Sequence, residues 1–276
     1  MHMASMGEFG GPRPGHPYIE REGSLDRVQE EFRPVVAALR ARVATEFGPD
    51  RLHSAYLYGS VPRGTARPGR SDLDVLLALH AEPTEADRAD ARRIGEALDA
   101  RFPQIDGVGE LLFGEAVLTS ELERYDMGWF VACLCTPLIG PDLGERLPRY
   151  RPDGLLARET NGDLIDVLPR WRELLASARS EEEFRRLDRN FSRRLVRTGL
   201  TLVMPRWGRF TSELAESAEV FARYYPERGD TMRKIAEAAG NPSADPAVLR
   251  MYTEDFGPWL ATEYIAVHGR KTPRPY

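Results

Sequence analysis

Tyr56-Leu-Tyr-Gly-Ser60, an eleven-residue spacer rich in Gly, Pro and Arg, and Asp72-Leu-Asp-Val-Leu-Leu-Ala-Leu79 form one continuous passage. The residues from Ser54 to Tyr58 read as a short strand. Those from Asp72 to Leu79 read as a second strand, almost wholly apolar after Asp74, as a strand covered on both faces must be. A period of two sets Asp72 and Asp74 on one face at the mouth of that strand and Leu73 on the other. Two carboxylates so close repel one another unless a cation neutralises them. A hard divalent ion such as Mg²⁺ takes oxygen ligands of this kind and keeps positions open for water and phosphate. Upstream, Gly59 and Ser60 allow a tight turn and offer N–H groups and a hydroxyl to phosphate oxygens. Gly-Ser and Asp-x-Asp are each common by chance. Strand, Gly-Ser, spacer and Asp-x-Asp opening a buried strand form a far more restrictive combination.

The passage resembles the signature of the DNA polymerase β-like nucleotidyltransferase superfamily: a hydrophobic residue before Gly-Gly or Gly-Ser, then Asp-hydrophobic-Asp-hydrophobic. The resemblance is close over Tyr56–Leu79, and the strand–helix–strand order to Ile139 agrees with it. It implies that Asp72 and Asp74 bind metal, two Mg²⁺ ions in all, and that a third carboxylate on a later strand completes the catalytic and metal-binding set. Glu115, in Leu111-Leu-Phe-Gly-Glu-Ala-Val-Leu-Thr119, is the first choice, because an unpaired charge inside an apolar strand is costly. Glu110 and then Asp106 are the alternatives. The chain lacks the hydrophobic–Asp–hydrophobic triplet of many members, which leaves a weakened or inactive site open. The resemblance further implies that Gly59 and Ser60 grip the triphosphate, and that two metals activate an acceptor hydroxyl and steady the pyrophosphate leaving group. The third acid would double as general base.

Arginines are candidate phosphate partners because their guanidinium fork matches paired oxygens. Arg63, Arg67 and Arg70 lie in the spacer, and Arg63, Arg70 and the adjacent Ser71 are assigned to the nucleotide. Arg186, Arg189, Arg193 and Arg197 recur every three or four residues beside an apolar helical stripe, and of these Arg193 and Arg197 are assigned to phosphate. The competing reading is a solvated face, in a chain with 36 arginines and only two lysines, Lys234 and Lys271. Trp171, Tyr224 and Tyr225 read as packing residues before stacking ones. The histidines form no cluster in sequence. Cys133 and Cys135, two apart on an expected strand from Trp129 to Ile139, read as small core residues.

Outside this passage the chain falls into an α/β half and a helical half. A helix is expected from a Ser24 cap to Phe47, with Leu25, Val28, Phe32, Val36, Leu39 and Val43 on its buried face and a kink at Pro34. Another is expected over Thr84–Phe102, and strands over Leu111–Thr119 and Trp129–Ile139. After a Pro/Gly-rich boundary at Asp142–Asp153 the pattern is helical: a capping box at Ser180–Glu183, a helix capped by Thr211 and stopped by Pro226, and helices over Gly229–Ala239 and Pro246–Val267. The expected class is α+β: a small mixed sheet with flanking helices over residues 18–150, then an all-helical domain over 151–276. Residues 1–17 read as an arm, its start like the residues a cloning step leaves.

Among 276 residues, 38 basic against 43 acidic side chains give a net charge of −5, which argues against a protein that coats nucleic acid. The longest apolar run is too short to span a bilayer, no secretory leader is visible, and the chain reads as cytoplasmic. The layout resembles the streptomycin/spectinomycin-type aminoglycoside adenylyltransferases. That implies transfer of a nucleoside monophosphate, AMP from ATP, to a hydroxyl of a small molecule. The competing readings are an antitoxin-like nucleotidyltransferase acting on a protein partner, an RNA-directed polymerase and a non-catalytic nucleotide-binding protein. The first of these is usually much shorter, and the second needs a basic face.

Overall fold

The computed structural model describes residues 17–273, so the arm read at 1–17 lies outside the described residues except for Pro17. The chain divides into two compact units. One is Glu20–Tyr150; the other, among the described residues, joins 17–19 to 151–273. Among the described residues no helix is long and apolar enough to cross a membrane.

The first unit is built on a four-stranded sheet in the order β3-β2-β1-β4, from β1 (Leu52–Tyr58), β2 (Ser71–Leu79), β3 (Ile105–Gly114) and β4 (Thr136–Ile139). β1 runs antiparallel to β2 and β4, while β2 and β3 are parallel, so the sheet is mixed. Alternation along β2 sends Leu73, Val75, Leu77 and Leu79 into a core closed by α1 (Arg33–Arg51) and α3 (Glu85–Asp99). Leu76 and Ala78 enter a second core on the opposite face, with Tyr56, Leu118, Val131, Cys135 and Leu143. The strand is therefore buried on both faces from Val75 onward, and only its first residues, with Asp72 and Asp74, reach the surface.

The α+β class expected from sequence is what the fold shows, with differences in the elements. The first helix begins at Arg33, after two short 3₁₀ turns, and Ser24 makes no side-chain cap. Pro34 causes no kink, because it occupies the first turn, where a missing N–H costs nothing. Leu25 is exposed, while Val28, Phe32, Val36, Leu39 and Val43 are buried as their spacing requires. α3 opens on a reciprocal box, Thr84 Oγ1 accepting from Asp87 N at 3.2 Å and Asp87 Oδ2 accepting from Thr84 N at 2.8 Å. β3 starts at Ile105 and stops at Gly114, so Glu115 is not in a strand; it opens the short helix α4 (Glu115–Leu118). The run expected as one strand from Trp129 is a helix, α5 (Trp129–Leu134), before β4. Cys133 thus lies in a helix and not on a strand, and both cysteines are buried free thiols. Burial pushes the Cys133 thiol up to about 12 and Cys135 well above its ordinary value.

The second unit is helical: α6 (Gly154–Asn161), α7 (Leu164–Ser177), α8 (Glu181–Trp207), α9 (Leu214–Tyr224), α10 (Pro226–Ala238), α11 (Pro246–Met251) and α12 (Gly257–His268), the label α2 being kept for the short helix Ser60–Arg63. α8 carries the capping box read at Ser180 and Glu183, and buries Leu187, Phe191, Leu195 and Leu202. Thr211 does not cap α9. Its hydroxyl accepts from Glu213 N at 3.2 Å in the turn before that helix. The long helix expected from Pro246 is interrupted by a π-helical turn at Tyr252–Phe256. Trp171 stacks on Phe191 at 4.1 Å, and Tyr225 on Phe221 at 5.2 Å while donating to Glu263 at 2.7 Å. Tyr224 lies under the Arg206 guanidinium at 4.4 Å.

Candidate active site

Asp72 and Asp74 stand half-buried at the start of β2, on the face that carries Leu76 and Ala78 further along. Strand register decides what surrounds them. Across the antiparallel ladder Tyr58 pairs with Asp74, and across the parallel ladder Gly109 does. Paired residues project from the same face, so the Asp74 carboxylate has Tyr58 on one side and a glycine on the other.

Two glycines make the seat. Gly59 adopts φ +80°, ψ −152°, a conformation essentially confined to glycine, and a Cβ there would run into Asp74 Oδ2. A Cβ at Gly109 would lie 2.9 Å from Asp74 Oδ1 and 4.0 Å from the Tyr58 hydroxyl. One carboxylate oxygen thus rests against the turn after β1, and the other against β3. The next residue, Ser60, opens α2, which closes on a left-handed Gly64 whose N–H returns to Ser60 and Val61 carbonyls. The backbone N–H groups of the first residues of a helical turn have no partner within the turn and are available to an anion.

Gly59, Ser60, Asp72 and Asp74 are therefore brought to one end of the β1–β2 pair. Ser71 opens β2, its Oγ accepting from Arg67 N at 2.9 Å, which pins the end of the spacer. Arg63 is half-buried and lies 4.0 Å from Glu22 Oε2, and Arg70 is exposed at the end of the spacer. Arg193 and Arg197 stand on α8 of the other unit, the first half-buried and the second exposed.

Glu115 does not join the aspartates. His80 follows the last residue of β2, and six extended residues from Asp74 to His80 cover about 20 Å. At that far end Glu115 contacts His53 Nε2 at 3.3 Å, His80 Nδ1 at 3.4 Å and Arg146 Nη1 at 3.1 Å. Partial burial raises the Glu115 carboxyl, but the neighbouring His53, the hydrogen bonds with His80 and Arg146 and the charge of Arg146 outweigh it and hold the group below its ordinary value. Burial pushes the His53 imidazole down, against the pull of Glu115. The charge on Glu115 is paired, which removes the reason for placing it at a catalytic centre.

Nor does Glu110 reach the pair. It is the register partner of Val75 and so faces α3, where its Oε1 occupies the place of a Cβ on Gly95. Burial raises its carboxyl above the ordinary range. Asp106 is exposed at the bulge where β3 enters the sheet. Gly107, whose added Cβ would lie 4.0 Å from Asp72 Oδ1, and Gly109 are what β3 presents to the aspartates. Among the described residues no cluster of three His, Cys, Asp or Glu side chains is arranged to hold a metal. Two carboxylates on one face, walled by main chain, still suit a hard cation that takes its remaining ligands from water and phosphate. Tyr58 and Gly109 went unread in the sequence. The alternation that puts Tyr56 and Tyr58 on one face, together with hairpin pairing across the spacer, is the signal that locates Tyr58.

Residues 37–115 match the family model of the nucleotidyltransferase domain, a span that includes β1, the Gly59–Ser60 turn, β2, α3 and β3. That match makes residues 37–115 similar to a nucleotidyltransferase domain, in keeping with the mixed sheet that carries Asp72 and Asp74. Among solved structures, the fold is similar to that of the spectinomycin adenyltransferase AAD(9) from Enterococcus faecialis, solved with ATP and spectinomycin. The TM-score is 0.53 and the identity 12%, over 84% of this chain and 98% of the other. The likeness covers both the sheet-bearing and the helical parts, so the chain resembles the aminoglycoside adenylyltransferases in fold as well as in layout. Among curated proteins no sequence relative matches.

Proposed function

We propose that the chain transfers a nucleoside monophosphate, AMP from Mg²⁺-bound ATP, to a hydroxyl of a small molecule of the aminoglycoside kind. The observation that carries this reading is the seat of Asp74 between Gly59 and Gly109, with Asp72 on the same strand face. The neighbour solved with ATP and spectinomycin supports the choice of donor and acceptor class.

Asp72 and Asp74 hold the cation, and the Gly59–Ser60 turn directs N–H groups and the Ser60 hydroxyl to the phosphates. Ser71 fixes the spacer so that Arg63 and Arg70 frame the nucleotide. Two Mg²⁺ ions held at Asp72 and Asp74 would lower the pKa of the acceptor hydroxyl and offset the charge of the departing pyrophosphate. Because glycine stands where β3 faces the aspartates, the protein offers no third carboxylate there as a base. That feature favours one second reading, a protein that binds nucleotide without transferring it.

Calorimetric titration of ATP, GTP, CTP and UTP with Mg²⁺, repeated on Asp74→Ala, tests the site. One nucleotide is expected to bind in a metal-dependent way and to lose at least tenfold in affinity in the variant. Absence of binding by all four would sink the reading. Pyrophosphate release against a panel of aminoglycosides then separates the two alternatives, since a non-catalytic binder releases none with any acceptor.

A further inference from the structure

We infer that Tyr58 is a positioning residue of this site, its hydroxyl fixing the orientation of the Asp74 carboxylate; the inference rests on the reading of Asp72 and Asp74 as the metal–nucleotide site. Tyr58 is the last residue of β1 and the register partner of Asp74, so both side chains rise from one face. The place of a Cβ on Gly109 lies 2.9 Å from Asp74 Oδ1 and 4.0 Å from the Tyr58 hydroxyl. The phenol oxygen and that carboxylate oxygen therefore both lie within 4.0 Å of one point on β3, where the residue is glycine.

The ring cannot swing away easily. Phe130 meets it edge to face, with centroids 5.0 Å apart and planes at 71°, and it packs on the second core. Rotation about the Cβ–Cγ bond of an aspartate is soft, so a fixed donor is what distinguishes an oriented ligand from a loose one. Asp74 Oδ2 has its orientation limited by the main chain at Gly59. Tyr58 supplies the corresponding restraint from the Oδ1 side. Groups of this kind, one step behind a metal ligand, commonly change metal affinity by about 10–100-fold when removed.

The test uses the full chain with Mn²⁺ and ATP as the probe. Free Mn²⁺ is measured by electron paramagnetic resonance for the wild type, Tyr58→Phe, Tyr58→Leu and Asp74→Asn. Tyr58→Phe keeps the ring and its contact with Phe130. It should keep the wild-type melting temperature, lose about tenfold in Mn²⁺·ATP affinity, and alter the spectrum of the bound ion. Tyr58→Leu should lose both affinity and thermal stability. A residue that only packs would be satisfied by phenylalanine, so wild-type affinity and an unchanged spectrum in Tyr58→Phe would overturn the inference. If Asp74→Asn bound as tightly as the wild type, the underlying site reading would fall, and the role of Tyr58 with it.

Discussion

Asp74 sits in a seat bounded by main chain at two points. Its two oxygens are limited by glycines from different elements, one in a turn and one in a strand. Replacing Gly59 by alanine would both strain a backbone at φ +80°, ψ −152° and drive a methyl into the carboxylate. Such a conformation costs a residue with a Cβ on the order of 1–3 kcal/mol. Gly59→Ala should therefore lower unfolding free energy by about that amount in a urea titration, and abolish measurable Mn²⁺·ATP binding even where the protein remains folded. Retention of both would remove Gly59 from the site. Asp72 and Asp74 were readable in sequence because a period of two and an apolar strand force their common face. Gly109 was not, since its place depends on the parallel pairing of β2 with β3, which no local pattern specifies.

The same limit explains the elements that were misread. A short apolar run is compatible with strand or helix, and Trp129–Ile139 contains one of each. In Leu111–Thr119 the glycine before Glu115 ends the strand, and the carboxylate becomes the first residue of a helical turn, where negative charge is favoured. Glu115 then works as a clasp at the far end of the sheet. Glu115→Gln should leave Mn²⁺·ATP affinity within twofold of the wild type, and its loss would return this carboxylate to the active site. The clasp also predicts a pH profile. His53 is held below its ordinary 6.5, so the unfolded chain takes its proton first and stability falls as pH drops through that value. Glu115 is held below its ordinary 4.5, so its contribution is present above that value and is lost as pH falls beneath it. Urea midpoints from pH 7.5 to 4 should decline in both ranges. His53→Gln should flatten the upper part and Glu115→Gln the lower, and a profile unchanged in both variants would remove the clasp.

For the molecule as a whole, the division between a sheet-bearing and a helical part was visible as a change of period after a Pro/Gly-rich stretch. The π-helical turn at Tyr252–Phe256 was not, because the sequence around it keeps helical composition. Net charge gives an expectation for one class of partner, nucleic acid. At −5 the chain lacks the basic excess that phosphate-backbone binding draws upon. A tRNA pool at low salt should show no binding by filter retention or mobility shift. Binding that weakened steeply with added salt would instead point to an RNA-directed enzyme.

Both walls of the Asp74 seat being main chain has a consequence in heredity. A lineage that loses Gly59 keeps a backbone at φ +80° that no exchange of a neighbouring side chain relieves, whereas a Cβ at Gly109 meets only the movable end of the Asp74 side chain. A lost aromatic contact at Phe130, by contrast, could be compensated from any neighbouring position, so the two kinds of damage should leave opposite signatures among spontaneous revertants.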